Sequence, residues 1–298
     1  MTAQHLYYLF QCFFIYAFLG WCTEVAFAAF KERRFVNRGF LNGPICPVYG
    51  FGVVAVIHFL TPLRSNLLLL YLGSAILVTA IEWLTGFILE KVFHNKWWDY
   101  SNMPLNLNGY VCLLFSLIWG VFCVFIVDVF HPLIDTLLSH IPFLVGIILV
   151  CILVIAGLAD LYVTASGILK LNKRLEKMQT IADELHQISD KLGESIYKRT
   201  ITAMEKQEEF KDTVSEKQEE FKSAISEKQE AISDTLADVS DEVKERIALL
   251  RRSYLENVKA TSHIQKRIMK AFPKMQSRNY KESFEDLRNK LKEMSLKK

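Results

Sequence analysis

The sequence predicts an all-α polytopic membrane protein, with a bundle of about five spans followed by a long cytoplasmic coiled-coil tail. Charge is segregated: of 35 Lys and Arg only seven precede Ser166, and of 32 Asp and Glu only eight do. Five apolar runs of roughly 20 residues, the length a helix needs to cross hydrocarbon, fill that charge-poor part. An 11-residue repeat occupies much of the remainder. These features divide the chain into a bundle over 1–168, a stalk over 169–272 and a basic end over 273–298.

The predicted spans are 6–30, 45–62, 67–89, 109–130 and 141–166. The first has no Lys or Arg before it and no small-residue cleavage site after it, so it reads as a retained helix. The second is short and opens among Gly and Pro. Basic residues fix the expected orientation. Lys31, Arg33, Arg34 and Arg38 follow the first span, Lys91 and Lys96 the third, and Lys170, Lys173 and Arg174 the fifth. The other loops hold only Arg64, and a loop expected over 131–140 holds no Lys or Arg. Five spans place all three clusters on one side, with the N-terminus outside the cell membrane and the tail in the cytoplasm.

Composition excludes several classes. Net charge is −1 before Ser166 and +4 after it, which gives no footprint for a nucleic-acid partner. The six Cys all lie in apolar segments without a CxxC pair, so they read as buried thiols and neither a disulfide framework nor a metal site is expected. No cofactor motif is present.

Charges inside membrane helices are costly unless paired or solvated. Glu24, Glu82 and Asp160 lie at matching depth in the inner third of their helices, which suggests a polar cluster facing the cytoplasm, with Arg38 as counter-charge. Salt-bridged staples are the structural alternative. His58 reads as a packed or interfacial side chain, and Asp128 and Asp135 as surface groups.

The two links on the tail side are unusual. The first reads NRGFLNGPICPVYGFG from Asn37, with Asn42 as a polar candidate and Gly39, Gly43, Pro44, Pro47 and Gly50 as structural punctuation. The second carries WWDYS, then Asn106 and Asn108, with Asp99 its only acid. Trp97, Trp98 and Tyr100 suit a headgroup interface. Both second helices of the two hairpins open with Asn-Gly-x-x-Cys, at Asn42, Gly43, Cys46 and at Asn108, Gly109, Cys112, a hint of an internal duplication.

The pattern GW..E, NRGFLNGPICPVYGFG and WWDYS..PLNLNG resembles the bacterial ABC-transporter permease family of the CmpB type, also labelled type IV, over about residues 5–165. The resemblance implies a multi-pass inner-membrane protein with a transport role. It carries Glu24, Asn37, Arg38, Gly39, Gly43, Pro44, Pro47, Tyr49, Gly50, Glu82, Trp98, Asp99, Tyr100, Asn106 and Gly109 as matching positions. The tail lies outside it. No G-x-x-x-x-G-K-[ST] phosphate loop is present, so an ATP-driven process needs a separate ATPase subunit, docked on the tail-side links.

From Leu171 a 4-3-4-3 spacing runs through Leu175, Met178, Ala182, Leu185, Ser189, Leu192 and Ile196, a coiled-coil seam. EKQEEFKDTVS, EKQEEFKSAIS and EKQEAISDTLA follow over 205–237. An 11-residue period gives a nearly straight or right-handed coil. A solvated helix with an apolar stripe is expected to associate with copies of itself, with a partner helix, or to fold back. Two functions follow: a permease-like subunit, or a membrane-anchored coiled-coil scaffold or sensor. An intramembrane enzyme using the inner acids is a third, lesser reading. The chain is not expected to be an enzyme.

Overall fold

The computed structural model describes residues 2–213 and 241–296, and they form two compact units. The first comprises Met1–Lys173 and Thr261–Asn289. The second comprises Arg174–Ala260 and Lys290–Lys298.

In the first unit the chain begins with α1 (Ala3–Glu32), capped by the Thr2 hydroxyl, which accepts from the His5 amide. It ends where Arg33 turns left-handed at φ 52°. After the first link comes α2 (Pro47–Leu60), with Pro in its first turn, where a missing N–H costs nothing. A 3₁₀ turn (Thr61–Leu63) leads to α3 (Leu67–Phe93), whose Asn66 cap accepts from the Leu68 and Leu69 amides. The second link holds three two-residue strands, β1 (Asn95–Lys96), β2 (Asn106–Leu107) and β3 (Val111–Cys112), with β2 and β3 paired antiparallel. Then follow α4 (Leu113–Phe125), a π turn (Ile126–Phe130), α5 (His131–Ser139) and the long α6 (Phe143–Thr213).

Among the described residues four helices are long and apolar enough to cross a membrane: Ala3–Glu32, Leu67–Phe93, Leu113–Ser139 and the first part of α6. Their apolar side chains, Phe27, Ile76 and Leu144 among them, are largely exposed on the protein surface. A lipid environment covers such faces at no cost. The predicted second span is present as Pro47–Leu63, too short to qualify on length. It occupies the centre. Val53 and Ile57 pack with Cys12 and Tyr16 of α1 and Leu138 of α5, while Val56 packs with Leu70 of α3 and Cys123 of α4. Small residues permit the approach to α1: a Cβ on Gly50 would sit 2.7 Å from the Phe13 carbonyl oxygen, and one on Gly20 would sit 2.4 Å from the Tyr49 ring.

The fourth predicted span is displaced. Residues 109–112 belong to the β2–β3 hairpin region, and the helix runs on to Ser139, so the loop expected over 131–140 is α5 for nearly its whole length. Pro132 has no N–H to give the carbonyl one turn back. The π turn absorbs the mismatch, and Arg64 donates to the Asp128 carbonyl at 3.2 Å while pairing with the Asp128 carboxylate at 2.8 Å.

The rest of the first unit is built from residues well beyond the bundle. Ser262 and Gln265 form a capping box that starts α8 (His263–Ala271). A turn leads into β4 (Gln276–Ser277), then α9 (Lys281–Leu296) begins. Ile268, Met275, Phe284 and Leu287 are fully buried, and Arg288 braces the turn by donating to the Pro273 and Met275 carbonyls. The stalk drawn over 169–272 therefore gives its last residues, from Thr261, to the bundle's unit, and the basic end contributes a strand and a helix. We call 261–289 the cap.

In the second unit α6 continues, and residues 241–259 form α7. Leu175 and Met178 of α6 are buried, as are Leu250 and Val258 of α7. The Arg246 guanidinium meets Glu184 at 2.5 Å, so the chain doubles back on itself. The side chains of the 11-residue repeats over 205–237 lie outside the described residues.

Candidate functional site

Two polar groups occupy the end of the bundle that carries both links. The first is built around Asp160 of α6. Its carboxylate accepts from the Asn42 amide at 3.1 Å, the Asn42 side chain at 2.8 Å, the Gly43 amide at 2.6 Å and the Thr164 hydroxyl at 3.2 Å. An anion receiving several N–H groups from one loop holds that loop's backbone in place. Asn37 closes the other half of the link. Its side-chain oxygen accepts from the Trp21 indole and the Gly39 amide, and its amide donates to the Asn42 carbonyl at 2.8 Å.

Arg267 of α8 completes this group. Its Nε donates to Asn42 Oδ1 at 2.9 Å, Nη1 to the Gly39 carbonyl at 2.8 Å and Nη2 to the Phe40 carbonyl at 2.9 Å. Burial pushes the Arg267 guanidinium below its usual range, and Asp160 pulls the other way. More of the cap follows the same surface. Gln265 donates to the Gly167 carbonyl at 3.0 Å. β4 pairs antiparallel with β1, placing Ser277 opposite Asn95 and Gln276 opposite Lys96. Arg278 meets Glu90 at 2.6 Å, and this hydrogen bond raises the Arg278 pKa further. Phe272 packs edge-on against Trp97, which in turn meets Phe40.

The second group lies within the helices. The Tyr49 hydroxyl donates to Glu24 at 2.7 Å, and Arg38 stands 3.6 Å from the other Glu24 oxygen. Glu82 has no hydrogen bond or ion pair among the described residues. The hydrogen-bond partners of Asp160 all come from the first link and its own helix.

Asp99, Asn106 and Asn108 help to hold the second link together. Asp99 pairs with Lys96 at 2.8 Å and accepts from the Ser101 amide and hydroxyl. Asn106 donates to the Met103 carbonyl at 2.8 Å and accepts from the Gly109 amide at 3.1 Å. Asn108 is left-handed at φ 56° and accepts from the Trp83 indole. Gly39 and Gly43 lend backbone atoms to the Asp160 group. Pro44 precedes the turn into α2, Pro47 opens that helix, and Gly50 faces Phe13.

The residues 11–165, just over half of the chain, match the family model described as "Putative ABC-transporter type IV". The chain belongs to this family. Every motif residue of both links falls inside the family segment, while the cap and the second unit lie beyond it. No curated protein and no solved structure matches the chain.

Sequence reasoning missed Arg267, Gln265 and Arg278. The one local signal was Ser262 followed by Gln265 three residues on, which marks a helix start but not its docking surface. It also missed the opposite end of the bundle. There His5 meets His58 at 3.1 Å, and Tyr8 bridges His131 at 3.0 Å and Asp135 at 2.5 Å. Tyr16 reaches the other His131 nitrogen at 3.2 Å. Asp135 and Asp128 are thus engaged with Tyr8 and Arg64, although the sequence offered them only as surface groups.

Proposed function

We propose that this family member is the permease-like transmembrane subunit of a transport system, driven by an ATPase on a separate chain that docks on the two links. Family membership and the absence of a phosphate loop in the sequence support this reading. The observation that carries it is Glu82. An unpaired carboxyl group in an apolar helix is costly and marks a path for polar cargo or protons. Glu24, held by Tyr49 and Arg38, is the second such acid. On this reading Pro47–Leu63 is a fifth span, the basic links and tail face the cytoplasm of a bacterial cell, and the N-terminus is outside. The protein acts by binding and moving its substrate, not as an enzyme.

The test is uptake. Glu82→Gln and Glu24→Gln, in protein that still inserts and folds, are expected to slow substrate uptake at least roughly tenfold, a loss of about 1.4 kcal/mol. Unchanged uptake in a strain lacking the whole protein would remove the transport role. Purification in gentle detergent is expected to bring down an ATPase.

A second reading rests on the 11-residue repeats: a membrane-anchored scaffold whose tail forms a coiled coil with copies of itself. It requires crosslinks between tails of different chains, and full function of the tail fused to an unrelated anchor.

A further inference from the structure

The first link ends in a site built for one chemical group. Gly39 O, Phe40 O and Asn42 Oδ1 face the three nitrogens of one guanidinium at 2.8–2.9 Å. Asn42 is held by Asp160, whose negative charge stands behind the cradle. Three acceptors that match the planar fork, with a carboxylate behind them, select Arg over Lys, which offers a single point charge. All of these cradle atoms lie in the family segment, whereas their occupant lies 225 residues further along the chain from Asn42. The neighbouring edge is used in the same way, since β1 takes β4 as its strand partner.

We propose that this surface is a receptor for an arginine-bearing helix of another protein chain, and that the cap fills it in cis and so competes with that partner. The cradle stands without the transport reading. Only the identification of the partner as the energy-supplying subunit rests on it. The family segment supplies the receptor, and the chain beyond it brings the ligand. Access to the links is then governed by whether the cap is seated.

The test uses the full chain in detergent and a fluorescent peptide of residues 261–289 as probe, with no transport assay, so its failure is separable from that of the proposed function. Hydrogen exchange at the 39–43 amides reports whether the protein's own cap is seated. Arg267→Ala is expected to raise that exchange, and the variant is expected to bind the peptide at least roughly tenfold more tightly than the wild-type chain, whose site is filled. A peptide carrying Arg267→Ala is expected not to bind, and one carrying Arg267→Lys to bind at least roughly fivefold more weakly than the native peptide. Unchanged exchange in the Arg267→Ala protein, or equal binding of the native and Arg267→Ala peptides, would overturn the proposal. If Arg267→Ala does not fold, the same measurements on Arg267→Lys decide it, with a smaller rise expected in both.

Discussion

The first link, 33–46, and the second, 94–112, both carry an Asn-Gly pair and both close the same end of the bundle, but they take their hydrogen bonds from different places. The first depends on Asp160 and Thr164, 118 and 122 residues from Asn42, and on Arg267, 225 residues away. The second begins on the cap, through the β1–β4 pairing, but from Trp98 onward it is held mostly by itself. Asp99 binds Ser101, Asn106 binds Met103 and Gly109, and Trp98 donates to the Tyr110 carbonyl at 2.7 Å. A loop that folds on its own atoms keeps its shape whatever its neighbours do. A loop shaped by distant groups reports their position, and this makes the first link the one suited to sensing a partner.

The sharpest way to break this contrast is Asp160→Ala. It leaves the Asn42 and Gly43 amides and the Thr164 hydroxyl without their acceptor, and the Asn42 side chain with Thr164 alone. Orphaned donors cost roughly 1–3 kcal/mol each when water cannot replace the lost partner. This site is only partly closed, so a total of about 3 kcal/mol is expected. Thermal unfolding in detergent measures the loss, and hydrogen exchange should locate it at 37–46. Equal loosening over 99–110 would show that the links are not independent.

The reciprocal change is Gly109→Ala. Gly109 has φ +70°, and a Cβ there would sit 2.4 Å from Ser101 Oγ and 2.6 Å from both Asp99 Oδ1 and Lys96 Nζ. Positive φ and crowding together are expected to cost about 2 kcal/mol. The damage should stay in the second link, with exchange over 37–46 unaltered. An effect of similar size in the first link would sink the contrast from the other side.

The same division explains what could be read in advance. The apolar runs show where α1, α3, α4 and α6 lie because lipid rewards a continuous apolar face regardless of tertiary partners. Glu24 and Arg38 are close in sequence, and their pairing was foreseeable. The turn chemistry of Asn108-Gly109 is local and legible too. The role of Asp160 was not, because depth along a helix does not say which way a carboxylate faces. Nor was the continuation of the helix past Pro132, which depends on Arg64 standing by to occupy the Asp128 carbonyl. The cap was the largest omission. Residues 261–289 are polar in composition, and their buried side chains acquire meaning only against a surface formed by residues far earlier in the chain.

The smallest expected effect concerns acid. Burial alone would raise the Asp99 pKa, but hydrogen bonds from Lys96 and Ser101 and the Lys96 charge outweigh it and bring the carboxyl down to about 2, from an ordinary 3.8. A group with a depressed folded-state pKa contributes stability above its unfolded pKa, and that contribution disappears as pH falls through the folded value. The second link is therefore expected to lose the Asp99 contacts only between about pH 4 and pH 2. The carboxylate is partly exposed, so solvent screening keeps the gain small. Exchange of the Ser101 amide, which donates to Asp99 at 2.9 Å, follows the transition directly. Asp99→Asn should remove the pH step and leave a faster, level rate. A step centred near 4 in the wild-type chain would mean that Lys96 and Ser101 do not hold the carboxylate, and the self-sufficiency of the second link would lose its main local support.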